Sequence, residues 1–162
     1  MLRDRLLRGI WIGLVAAAAT AGALVGFGWV RGSPLQPLNT IAHVVLGTRA
    51  FYVHDAHPLV TSAGIFVHIL SMVAWGTLFS IGVKRSRGIR VWVGALVLTA
   101  VAAALDFVIL PPRFSPGFET VLTRGEVIIV YAVMAASLGM AAAMRSEQRE
   151  IVSEELHWTA TG

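Results

Sequence analysis

The chain has 162 residues, 56% of them hydrophobic and only 14% charged, with a mean hydropathy of +0.74. A soluble domain carries about 25% charged residues, so this composition excludes an ordinary soluble fold and indicates an integral membrane protein. The net charge of +4 is spread in short basic clusters between apolar runs, a topology signal and not a nucleic-acid surface, and the absence of cysteine excludes disulfides, thiolate metal sites and cysteine nucleophiles.

The first apolar run, Ile10 to Val30, is longer than the core of a signal peptide and is expected to be an uncleaved span over 9–30. Trp11 and Trp29 frame it, about 27 Å apart along a helix, which matches two interfacial belts. Residues 38–50, "LNTIAHVVLGTRA", are amphipathic but too short to span, and predict an interfacial or re-entrant helix. A second span follows over 59–83 and a third over 90–110, ended by Pro111-Pro112. Residues 111–123 mix prolines and aromatics with Arg113 and Glu119, and predict an ordered cap. The fourth span, 124–144, opens on a capping box, Thr123-Arg124-Gly125-Glu126. The expected architecture is all-α: a four-helix transmembrane domain over 1–145, then a polar cytoplasmic tail with helical potential over 146–162.

Orientation follows from the basic residues. Arg3, Arg5 and Arg8 precede the first span, Lys84, Arg85, Arg87 and Arg90 join the second to the third, and Arg145 and Arg149 follow the fourth. The positive-inside rule then places both termini in the cytoplasm. Small residues recur at four-residue spacing, as in Gly9/Gly13 and Gly22/Gly26, where they let helices approach closely within the chain or between copies.

The polar residues cluster under the two outer connections. His68 lies on the stripe Gly64, His68, Met72, Gly76, Ser80, in the outer half of the second span. Asp106 sits about 24 Å along the third span, about 6 Å short of the outer edge, where a carboxylate needs a partner. Arg113, Arg124, His68 and His43 are the candidate partners. An outward-facing pocket is therefore expected from His43, His68, Asp106, Arg113, Glu119, Arg124 and Glu126, with the first three converging and Arg113 and Glu119 at the mouth. His43 and His68 are the intramembrane pair that could ligate haem b or a divalent metal; His54, Asp55 and His57 form a weaker metal-capable cluster.

The stretches "PLNTIAHVVLG", "GIFVHILSMVAWGTLF" and "LDFVILPPRFSPGFE" resemble a family of small bacterial inner-membrane proteins, some labelled as sodium/proline symporter fragments. The resemblance covers about residues 34–140 and implies four spans in a bacterial inner membrane, with no established activity.

Three functions remain open at this level. One is a membrane module, homo-oligomeric, that binds or conducts an ion, a proton or a small ligand. The second is an accessory subunit of a larger membrane complex. The third, ranked last, is a haem or metal redox protein. No serine has a histidine and an acid at suggestive spacing, so covalent catalysis is not indicated.

Overall fold

The computed structural model describes the backbone of residues 2–83 and 88–161, and the side chains of residues 3–83 and 88–144. Lys84, Arg85 and Arg87 of the topology signal lie outside the described residues, as do the side chains of Arg145 and Arg149. The protein is all-α. Six helices are α1 (Leu2–Val30), α2 (Gln36–Ile41), α3 (His43–Leu46), α4 (Pro58–Val83), α5 (Ile89–Ala104) and α6 (Arg124–Thr161). Short 3-10 turns at Thr48–Tyr52, Pro112–Phe114 and Phe118–Thr120, and a π turn at Leu105–Ile109, complete the described elements.

Among the described residues, four stretches are long and apolar enough to cross a membrane: Arg3–Val30, Pro58–Val83, Ile89–Ile109 and Arg124–Met144. This is a multi-pass helical membrane protein. Less than half of each span is buried inside the bundle, and exposed positions such as Leu14, Phe66, Leu96 and Ile128 are apolar. Such faces suit lipid, which cannot satisfy a polar group but accepts leucine freely.

Helix α1 is the centre of the bundle, packing along both α4 and α6, while α5 packs on α6 and touches α4 more lightly. The crossing of α1 and α4 is set by glycine. A Cβ added at Gly76 would lie 2.6 Å from the Gly9 carbonyl oxygen and 2.6 Å from Gly13 Cα, so only hydrogen fits there. Ser80 then donates to the Arg5 carbonyl at 3.0 Å, satisfying its hydroxyl at the close contact. Gly139 likewise accommodates the Trp92 ring between α6 and α5. Away from the long connections, the interior is a packed apolar cluster that includes Ile12, Phe79, Val91, Ala95, Leu138 and Ala142.

Both long connections, 31–57 and 110–123, lie on one face of the bundle. The short outer helix expected over 38–50 is present, with one correction. It is broken, into α2, α3 and a 3-10 turn, with Gly47 at φ 77° between the last two. Its first half packs into the bundle, since Leu38, Asn39, Thr40, Ile41, Ala42 and His43 are all buried, while Val45 to Arg49 are exposed. Gly64 explains the fit, because a Cβ there would strike the Leu38 carbonyl and push α2 off α4. Asn39, fully buried, ties the segment together: its Nδ2 donates to the Val53 and Asp55 carbonyls, both at 2.9 Å, and its Oδ1 accepts from Thr61 Oγ1 at 2.8 Å.

The end of the third span also departs from a simple proline stop. Regular α-helix ends at Ala104, and Leu110 N–H bonds back five residues to the Leu105 carbonyl at 2.8 Å. Leu110 itself is extended, as expected before Pro111. A π turn shifts side-chain direction relative to the preceding helix, and here it carries Asp106. The predicted capping box is present, with Thr123 N–H and Oγ1 both donating to Glu126 Oε2 at 2.8 Å. The polar tail is not separated from the fourth span by a break, because the α6 backbone is helical to Thr161.

Candidate functional site

A cavity of about 160 Å³ lies beneath the two long connections, between α4, α6 and the π turn. Its polar lining comes from Thr20 on α1, His68 and Ser71 on α4, Asp106, Ser115 and Tyr131. Phe114 and Phe118 roof it, and Met72, Trp75 and Met134 supply apolar wall. Thr20 and His68 each lie ten residues, or about 15 Å of helix, from the loop-rich end of their spans. The cavity therefore reaches from the loops to about mid-span at His68 and Thr20, and its apolar wall at Met72 and Trp75 runs deeper.

His68 is held by one nitrogen. Its Nε2 lies 3.0 Å from Thr20 Oγ1 and 3.2 Å from the Ala17 carbonyl. Thr20 donates its own hydrogen to the Ala16 carbonyl at 2.7 Å, so its oxygen is left as an acceptor. Nε2 therefore carries the proton and donates into α1, and Nδ1 is the lone-pair nitrogen. Among the described residues Nδ1 has no hydrogen-bond partner, although the residue is only 6% exposed.

Asp106 accepts a hydrogen bond from Tyr131 Oη at 2.5 Å, through Oδ2. Its other oxygen has no partner among the described residues. The expected pairing of Asp106 with Arg113, Arg124 or a histidine is thus corrected: its partner is a tyrosine from α6. Tyr131 also makes an edge contact with Phe107, 5.7 Å between ring centroids, which fixes the phenol against the π turn.

Of the residues expected to form a pocket, the fold brings two to the cavity, His68 and Asp106. No hydrogen bond joins them, and His43 does not converge on them. His43 instead faces the connections, its Nδ1 2.8 Å from the Thr40 carbonyl, its Nε2 3.4 Å from the Pro112 carbonyl and its ring stacked on Phe51. Its nitrogens are turned to backbone oxygens, and it does not oppose His68 as a haem ligand pair would. Glu119 stands just behind the lining, with Oε1 accepting from Ser115 Oγ at 2.7 Å and Oε2 buried without a partner among the described residues. Arg113 and Arg124 are exposed and do not close the mouth. Glu126 is drawn away to Arg31, which binds it through both guanidinium nitrogens, one of them at 2.7 Å. This pair joins the end of α1 to the start of α6, and the hydrogen bond that Arg31 donates to Glu126 raises the pKa of Arg31 further.

In the cluster at 54–57, two residues make hydrogen bonds to the elements beside them. Asp55 offers its carbonyl to Asn39, while His57 caps α4, its Nδ1 accepting from Val60 N–H and its N–H donating to Thr61 Oγ1 at 3.0 Å. Among the described residues, no group of three or more histidines and carboxylates is close enough to hold a metal ion. Tyr131 and Thr20 line the cavity without having been singled out in the sequence. For Tyr131 a signal existed, since a phenol about 10 Å inside a span needs a hydrogen-bond partner there. Neither family models, curated proteins nor solved structures yield a match to this chain.

Proposed function

We propose that this small membrane protein binds a small ligand in the cavity beneath its long connections, with His68 and Asp106 contacting the occupant. One observation carries the reading: two acceptors, Nδ1 of the buried His68 and the second oxygen of the half-buried Asp106, belong to residues lining one cavity and have no partner among the described residues. A buried polar group without a partner costs free energy, so an occupant that satisfies both atoms is stabilised there. Binding is favoured over conduction, because the end of the bundle away from the long connections is closed by the apolar cluster around Phe79 and Leu138.

The basic residues support cytoplasmic termini, so that the cavity faces the outer side, and the resemblance in sequence supports a bacterial inner membrane. The protein assembles with itself through α1. Gly9 and Gly13 are used against α4, whereas nothing lies within 4 Å of a Cβ at Gly22 or Gly26.

The chain has no cysteine, so a single engineered thiol tests the cavity cleanly. In right-side-out vesicles, Val67→Cys on the cavity wall is expected to react with neutral methyl methanethiosulfonate faster than two controls. The controls are Leu70→Cys, which faces lipid, and Ala95→Cys, which is packed. A Val67→Cys thiol no faster than either control would remove the ligand site.

A further inference from the structure

We propose that the occupant is a small organic cation, a primary ammonium or guanidinium of about six non-hydrogen atoms in all, seated between Asp106 and His68. This deepens the preceding reading of the cavity as a ligand site and rests on it.

The first support is the sign of the free atoms. Nδ1 of His68 and the second oxygen of Asp106 are both acceptors, and the proton of the His68 ring is already committed to α1. An ammonium has three N–H donors and no acceptor, the complement of this set. No lysine or arginine lines the cavity, so an anionic occupant would meet Asp106 with nothing to balance it. Glu119, which accepts from the cavity residue Ser115, keeps a buried oxygen unpaired among the described residues, a further acceptor without a donor.

The second support is the wall. Trp75, Phe114, Phe118 and Tyr131 all line the space, and aromatic faces attract a cation that has left water. A bare metal ion needs several directed ligands, which the described residues do not bring together. An organic cation needs one carboxylate, one acceptor and π faces, and these are present. The third is size: the cavity matches the roughly 150 Å³ that admits one benzene-sized molecule.

The test uses the Val67→Cys protein in nanodiscs. Ethylammonium and guanidinium are expected to slow its reaction with the neutral reagent, whereas ethanol and acetate at equal concentration are not. Relative to free thiol, the 2-aminoethyl methanethiosulfonate is expected to react about tenfold faster than its 2-sulfonatoethyl analogue. Asp106→Asn should collapse that preference toward one, and Asp55→Asn, in the exposed connection, should leave it intact. Equal protection by acetate or ethanol, or a cation preference unchanged by Asp106→Asn, would overturn the cation assignment while leaving the cavity. The ratio of the two charged reagents is read on the Val67→Cys protein alone, so poor folding of Asp106→Asn does not shield the proposal. A thiol silent toward every reagent would overturn the ligand site and the cation with it.

Discussion

At the scale of single residues, the site is defined by which hydrogen bonds are made and which are left. His68 spends its proton on α1, and Asp106 receives one from Tyr131. The Tyr131 bond lies within a span, where a carboxylate without a donor is costly. Tyr131→Phe removes the donor while keeping the ring on Phe107, and is expected to destabilise the protein by about 2 kcal/mol. Reversible unfolding in mixed micelles measures this, with Tyr52→Phe, at an exposed tyrosine of the first long connection, expected to be neutral. A Tyr131→Phe protein as stable as the parent would mean the contact does not hold Asp106. The depth of His68 and Asp106 was legible in the sequence, because rise per residue fixes how far each lies from a span end. Their partners were not. A helix that is apolar all round gives no face to its polar residues, and so Asp106 could be matched as readily to Arg113 as to Tyr131.

At the scale of elements, the spans follow directly from length and composition, and the capping box at Thr123 starts α6 as expected. The connections were harder to read. Residues 38–50 have amphipathic spacing, but Gly47 breaks the helix and Gly64, on a different helix, opens the space that buries it. Such a fit depends on a contact between segments distant in sequence, as does the Arg31–Glu126 pair. The glycines make two contrasting predictions. Gly76→Val drives a side chain into the α1 backbone and is expected to cost about 3 kcal/mol or prevent folding, since overpacked contacts of this kind do not relax cheaply. Gly22→Val meets open space, so the fold is expected to be kept and self-association lost. Unfolding measurements and native mass in nanodiscs separate the two effects. A monomeric parent protein would count against the α1 contact between copies.

At the scale of the whole molecule, the bundle is divided across its thickness. The end away from the long connections is closed by apolar packing, and beneath the connections lies a cavity whose polar walls come from three spans and the π turn. That asymmetry was visible in the sequence as polar residues gathered under the long connections. What it could not assign was which of them face inward, because His43 and Glu126 find partners in the connections and at the end of α1. The account stands on His68 and Asp106 sharing one cavity, with the Nδ1 of His68 bare. The most direct measurement is the ¹⁵N spectrum of the [¹⁵N]histidine-labelled protein in nanodiscs, with His68 assigned by its loss in His68→Gln. The predicted result is a ring protonated at Nε2 and bare at Nδ1, whose Nδ1 resonance moves on Asp106→Asn and on adding ethylammonium. A His68 ring protonated at Nδ1, or one indifferent to both changes, would contradict it.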